Sequence, residues 1–304
     1  MGSGDLACPA MARLAASPAV DLAAAVTQPD RPRGRSRQTG PCPGRVEAER
    51  LGLPVLTPER IGEAADDLRA LAPDLVVVVA YGQFLPASVL AIPPRGTINL
   101  HPSLLPKYRG AAPIPWAIAH GERETGVTVL FVTARMDAGD IILQEPAAIG
   151  DEDTAATLAP RLAAEGARLL EQAVELFRRG DVPRRPQVET KVVLAPRLRK
   201  ADGWLDWRLP AATLRNRVRA FQPWPGTATE APAGSGHRLG VLGVAVEPGN
   251  GAPGEVLSVR GEGPLVAAGE GALRLRTVQP EGRRPMSGQA WLLGHALHPG
   301  VLLG

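Results

Sequence analysis

Cysteine and aromatic side chains are scarce in this 304-residue chain, with 2 Cys, 2 Tyr, 4 Phe and 5 Trp. Cys8 and Cys42 can form one bridge at most, which excludes a disulfide scaffold. With no secretory signature either, the expected compartment is the reducing cytoplasm. No apolar run approaches the ~20 residues that span a bilayer as a helix. No metal-ligand spacing is present, and no Ser sits in a nucleophile elbow. Neither sign of charge dominates. The 34 Lys+Arg stand against 31 Asp+Glu, a net +3 that permits a polyanionic partner without requiring one. What the chain does have is 44% hydrophobic residues, enough for real cores, and a length that fits two ordinary domains or one large one.

Residues 9–16 read as a helix and residues 22–27 as a buried strand ended by Gln28-Pro29-Asp30. Residues 31–44 are crowded with Gly and Pro and carry Arg31, Arg33, Arg35 and Arg37, so no regular structure is expected there. That stretch reads either as a solvated surface loop, the favoured reading, or as a flexible basic arm for phosphates. Residues 45–51 and 61–71 read as helices. The run Leu75-Val76-Val77-Val78-Val79-Ala80 is continuous and apolar, as a parallel strand covered on both faces should be. Residues 96–100 and 127–132 supply further strands. A long helix follows with Leu158, Leu162, Leu169, Ala173 and Phe177 on its apolar face, kinked or delayed by Pro160.

This alternation predicts an α/β domain with a mostly parallel sheet over residues 1–180. The Pro- and Arg-rich residues 181–200 read as a linker. Residues 201–304 hold one helix at 214–221 and short apolar runs split by glycines, which indicates a small all-β barrel or sandwich.

The stretch from Asn99 to Ile142 carries the chemistry. Asn99 and His101 lie two residues apart at a strand end, so their side chains share a face, and Pro102 stops the ladder. In open α/β sheets ligands sit at that carboxyl edge. Asp137, in the turn after the next strand, is placed to complete a polar trio. Such a trio suits acyl transfer to an amine without a covalent enzyme intermediate. An amide donates to the oxyanion, an imidazole bonds the same centre or shuttles protons, and a carboxylate orients the imidazole and helps accept the amine proton.

The residues Asn99-x-His101-Pro102-Ser103-Leu104-Leu105-Pro106, followed by Arg109-Gly110 and Asp137-x-Gly139, closely resemble the formyltetrahydrofolate-dependent formyltransferases. The resemblance implies a Rossmann-like catalytic domain with flanking helices and an OB-like C-terminal barrel. It implies Asn99, His101 and Asp137 as the catalytic trio and 10-formyltetrahydrofolate, with no metal, as the formyl donor. It also implies folate contacts from Ser103, Leu104, Leu105, Pro106, Gln83, Phe84, Leu85 and Asp140.

Three further features resemble the branch of that family that formylates initiator methionyl-tRNA for translation initiation. They are Thr27-Gln28-Pro29-Asp30-Arg31-Pro32 with its basic continuation, Arg109-Gly110-Ala111-Ala112-Pro113-Ile114, and the second-domain motifs. Those motifs are Trp204-Leu205-Asp206-Trp207, Arg219-Ala220-Phe221-Gln222-Pro223-Trp224-Pro225-Gly226 and Gln279-Pro280-Glu281-Gly282. The resemblance implies tRNA contacts from Arg31, Arg33, Arg35, Arg37, Arg197 and Lys200, and a monomer with no membrane partner. The alternatives are an N-formyltransferase for a nucleotide-linked amino sugar, or a protein that binds tRNA or folate without turning over. The family begins with a strand leading into a Gly-containing turn. Met1-Gly2-Ser3-Gly4-Asp5 resembles that turn without the strand, so the expectation is a true start upstream of Met1.

Overall fold

The computed structural model describes residues 1–33, 38–295 and 297–304. It divides into two compact units. The first comprises residues 1–113, 124–148 and 159–196, the second residues 114–123, 149–158 and 197–304. Of the segment read as a linker, residues 181–196 therefore pack with the first unit.

The chain opens with α1 (Ala7–Ala16), β1 (Ala25–Val26), β2 (Arg31–Arg33), β3 (Gln38–Gly40), α2 (Pro43–Arg50) and β4 (Val55–Leu56). Next come α3 (Ala65–Ala70), β5 (Val76–Val78), α4 (Ala87–Leu90) and β6 (Thr97–His101). After α5 (Pro113–Ala119) follow β7 (Glu124–Phe131), β8 (Ile141–Ala148) and the long helix α6 (Ala155–Arg179). Strands β1 and β4 pair in parallel, as do β5 and β6. Residues 1 and 2 link these pairs. Gly2 N–H donates to Val26 O at 2.9 Å, the Met1 amino group to Val77 O at 2.6 Å, and Val79 N–H to Met1 O at 2.9 Å.

This is a Rossmann-like parallel sheet with flanking helices, extended by β7, antiparallel to β6, and by β8, antiparallel to β7. The β7–β8 connection is short enough only for a hairpin, since a parallel crossover needs a dozen residues or more. Pro146 disguises β8 in the sequence, yet it sits on the outermost strand of this sheet, where a missing N–H is tolerated.

Val76 and Val78 of β5 enter a core with Val26, Ile61, Leu68, Tyr81, Leu85 and Val89. On α6 the positions expected to face inward, Leu158, Leu162, Leu169, Ala173 and Phe177, are all buried, and Pro160 lies inside the helix rather than ending it. Residues 31–44 depart from the expectation of no regular structure. Strands β2 and β3 pair as an antiparallel ribbon, with Pro32 opposite Thr39, and α2 starts at Pro43. A two-stranded ribbon leaves one side of each strand unpaired, so Pro32 costs it little.

The second unit adds α7 (Ala211–Ala220), β9 (Thr227–Glu230), β10 (Arg238–Glu247), β11 (Val256–Ser258) and β12 (Leu265–Ala267). It ends with β13 (Ala272–Pro280), β14 (Met286–Ser287) and α8 (Gly288–Leu293). Its antiparallel sheet has the order β11-β12-β13-β10-β9, with β14 on β13. The last residues bridge the two outer strands. Leu303 N–H donates to Gly254 O at 2.8 Å and Val256 N–H to Val301 O at 2.8 Å, while Gly304 and Glu230 exchange backbone bonds. The sheet thus becomes barrel-like around Trp207, Leu214, Val218, Leu239, Val241, Leu273, Leu275, Trp291 and Leu303.

Candidate active site

Strand β6 stops at His101 because Pro102 has no N–H with which to continue the ladder. Asn99 and His101 emerge on one face at this carboxyl end, and the loop after β7 brings Asp137 to them. Asn99 Nδ2 donates to Asp137 Oδ1 at 3.4 Å, and His101 Nδ1 lies 3.7 Å from Asp137 Oδ2. The buried His101 ring turns its other nitrogen, Nε2, to the carbonyl oxygen of Tyr108 at 2.8 Å. A carbonyl oxygen only accepts, so Nε2 carries the hydrogen, and neutral His101 has its lone pair on Nδ1, facing Asp137.

The turn after β6 is held from below. Ser103 is fully buried and its hydroxyl donates to Lys107 O at 2.6 Å. Leu105 N–H donates to Thr128 Oγ1, Thr128 in turn donates to Ser103 O, and Gln144 Nε2 donates to Leu105 O at 2.8 Å. Tyr108 follows with a φ of 64°, in the left-handed region. Gly110, with a φ of 126°, passes so close to Ala195 that a Cβ would sit 2.5 Å from its carbonyl oxygen. This close passage is fixed by pairing: Arg109 N–H donates to Val193 O at 2.9 Å and Ala195 N–H to Arg109 O at 2.7 Å.

Asp137 also has a left-handed backbone, with a φ of 49°. Its Oδ2 accepts the N–H of Gly110 at 2.9 Å. The backbone of its loop is gripped by Gln187, whose Nε2 donates to the carbonyls of Asp137 and Gly139, both at 2.8 Å. Gln187 Oε1 accepts from Arg109 Nε at 3.0 Å and Nη2 at 2.8 Å. Buried Arg109 then pairs with Glu189 at 3.0 Å, and Glu189 with Arg135 at 3.1 Å. Hydrogen bonds from Arg109, and secondarily Arg135, hold the Glu189 carboxyl below its ordinary pKa.

The other residues singled out from sequence scatter more widely. Leu105 is buried, Leu104 and Pro106 half-buried, and Asp140 half-buried with its carbonyl accepting Phe131 N–H. Gln83 spends its side chain on the backbone, accepting Ile61 N–H at 2.8 Å and donating to the carbonyls of Pro58 and Glu59. Phe84 is exposed and Leu85 buried. Gln83 and Phe84 line an open cavity of about 510 Å³ together with Gln28, Arg31, Glu59 and Arg60; Asn99, His101 and Asp137 do not border it. Arg31, Arg197 and Lys200 are exposed. Arg35 and Arg37 lie outside the described residues, as does the side chain of Arg33.

Thr128, Gln144, Tyr108 and Gln187 are invisible to sequence reasoning. Each acts through the backbone, one hydroxyl or one amide group and belongs to no spacing pattern. Arg109 stands out in the sequence as part of a motif, but its buried bonding to Gln187 and Glu189 has no signal there.

Comparison with known proteins completes the description. Residues 5–174 match the family described as formyl transferase, and residues 197–296 match the formyl transferase C-terminal domain. A methionyl-tRNA formyltransferase of Geobacter metallireducens is 42% identical, over all of this chain and 97% of that one. The enzyme of the same name from Moorella thermoacetica is 43% identical, over all of this chain and 98% of its own. Among solved structures, an N-formyltransferase of Helicobacter canadensis in complex with folinic acid and dTDP-3-aminofucose has the same fold. It superposes with a TM-score of 0.66 at 16% identity, over 92% of this chain and 97% of that one.

Proposed function

The chain belongs to the formyl transferase family, and on that premise we propose that it formylates the α-amino group of the methionyl residue on initiator methionyl-tRNA. The observation that carries this reading is the match along the whole chain, second unit included, to relatives named methionyl-tRNA formyltransferase. The donor is 10-formyltetrahydrofolate, and the products are formylmethionyl-tRNA and tetrahydrofolate. The enzyme acts as a cytoplasmic monomer in translation initiation, without a metal.

The neutral amine adds to the formyl carbon, and the carbonyl electron pair moves onto oxygen. Asn99 has two amide hydrogens, of which one is directed to Asp137 Oδ1, so the other is available for the developing oxyanion. His101 Nδ1, the nitrogen with the lone pair, takes the proton shed by the attacking amine. The Asp137 carboxylate 3.7 Å away stabilises the resulting imidazolium. The oxyanion's electron pair then re-forms the carbonyl as the bond between the formyl carbon and N10 breaks with its pair staying on N10, and the proton held by His101 is returned there. Every atom and charge is thereby accounted for without a covalent enzyme intermediate.

The turn Ser103-Leu104-Leu105-Pro106, the segment Gln83-Phe84-Leu85 and Asp140 form the folate side of the site. Arg31, Arg33, Arg35 and Arg37, with Arg197 and Lys200, take the tRNA phosphates. The exposure of Arg31, Arg197 and Lys200 supports that assignment.

The test is formyl transfer by the purified protein to Met-charged initiator tRNA, with a nucleotide-linked amino sugar offered as competing acceptor. Formylation of the tRNA is expected. Transfer to the sugar alone would overturn the assignment of the acceptor, and transfer to neither would overturn the reading as a whole.

A further inference from the structure

Asp137 meets Asn99 and His101 only because its loop is bent into an unfavourable shape. The residue has a φ of 49°, in the left-handed region that an L-residue enters at a steric cost. The neighbouring Thr133, Ala134, Arg135 and Met136 are all exposed, so little packing holds this rim in place. Besides the ion pair of Arg135 with Glu189, one side chain from a distant part of the sequence grips its backbone. Gln187 spends both amide hydrogens on this loop, one on the carbonyl of Asp137 and one on that of Gly139, each at 2.8 Å. Its own carbonyl is fixed in turn by the buried guanidinium of Arg109, through Nε at 3.0 Å and Nη2 at 2.8 Å. The residue after Arg109 closes the circuit, since Gly110 N–H donates to Asp137 Oδ2 at 2.9 Å.

We propose that Gln187 is a positioning residue for the reaction: by clamping the backbone of Asp137 and Gly139 to Arg109, it sets the distance of the Asp137 carboxylate from Asn99 and His101. This rests on the reading of Asp137 as a catalytic group. The chemistry of the clamp is specific to an amide. The same side chain must offer two donors to the loop and an acceptor to a guanidinium, and only Gln or the shorter Asn does both. A carboxylate satisfies Arg109 and presents an oxygen to two carbonyl oxygens. An aliphatic side chain satisfies neither.

That asymmetry makes the test. Gln187→Glu keeps the Arg109 bond and removes the loop bonds, so it isolates the clamp from general support of the fold. A misplacement of about 1 Å at a reacting group costs on the order of 10²-fold in rate. Gln187→Glu is therefore expected to lower kcat by about 10²-fold, with KM for tRNA and for the formyl donor little changed. The sharper readout is the double variant Gln187→Glu/Asp137→Ala. If Gln187 acts through Asp137, the double variant is no slower than Asp137→Ala alone, whereas a merely structural contribution multiplies with it. An undiminished kcat in Gln187→Glu, or multiplicative effects in the cycle, would overturn the proposal.

A crystal structure of Gln187→Glu decides the matter independently of which acceptor is used. Asp137 Oδ1 moved out of hydrogen-bonding reach of Asn99 is expected, and an unmoved loop would overturn the proposal even if the wild-type protein formylates nothing. An inactive wild type with a displaced loop would instead count against the proposed function and leave the clamp standing.

Discussion

His101 directs Nε2 to the carbonyl oxygen of Tyr108 at 2.8 Å, and this hydrogen bond decides which of its nitrogens is basic. The carbonyl is itself aimed by a left-handed Tyr108 at the end of a turn that Thr128 and Gln144 hold down. In the neutral ring the lone pair therefore lies on Nδ1, the nitrogen 3.7 Å from the Asp137 carboxylate.

Replacing His101 by Ala removes that base while leaving the exposed basic surface untouched. Turnover is expected to fall by about 10²–10⁴-fold, with tRNA affinity in a filter-binding assay close to wild type. Single-turnover kinetics at saturating donor measure the first quantity directly. A rate within a few-fold of wild type would remove His101 from the mechanism.

Arg197 and Lys200 are exposed and precede the barrel, where they are proposed to meet tRNA phosphates. The double variant Arg197→Ala/Lys200→Ala is expected to weaken tRNA binding. It should also flatten the dependence of log K on log salt by about 1 for each phosphate that is no longer neutralised. Turnover of bound tRNA should be little affected. A salt slope identical to wild type would assign both residues to solvent.

Tyr81 is 2% exposed and its hydroxyl has no hydrogen-bond partner among the described residues. Burial pushes its pKa from 10.0 to about 12. Between these values the unfolded chain releases the phenolic proton while the folded chain retains it, so folding stability is lost as pH rises through that window. Tyr81→Phe removes both liabilities. It is expected to be neutral or stabilising by about 1 kcal/mol at neutral pH, and to flatten the alkaline decline. Denaturant melts of both proteins from neutral pH into the alkaline range check this. A loss of more than about 1 kcal/mol at neutral pH would mean that the hydroxyl has a partner.

Leu303 fills the barrel core at 3% exposure, and its backbone helps join the outer strands β9 and β11. Leu303→Ala is expected to cost about 2–5 kcal/mol in the unfolding of the second unit. Chemical denaturation followed by Trp fluorescence reports it, since Trp207 and Trp291 share that core. A negligible shift would show that the Leu303 side chain contributes little to that core.

Much of this is legible in the sequence because it depends on local pattern. The continuous run of valines, the period of α6 and the glycine-split strands of the second unit each state their structure within a short stretch of chain. The trio is legible for the same reason: Asn99 and His101 share a strand face by their spacing alone, and Asp137 lies in the next turn. Where local signals conflict, the reading fails. Prolines hide β2 and β8, because sequence shows that a proline removes a donor but not that the strand lies at an edge, where the donor is not needed. The segment at 181–196 has no periodicity and resembles a tether, yet it supplies Gln187 and the strand-like partner of Arg109.

The sequence by itself determined most of the elements, their order and the residue types of the polar trio, since all of these follow from short-range periodicity and residue type. Only the tertiary structure decided which nitrogen of His101 is basic, how far Asp137 stands from it and which distant side chain holds it there. The first is set by the hydrogen bond from His101 to the Tyr108 carbonyl, and the others by hydrogen bonds closing across 50 residues between Gln187 and Asp137 and across 78 between Gln187 and Arg109. Bonds that span such intervals leave no trace in local composition, because their direction exists only once the backbone on both sides has been fixed.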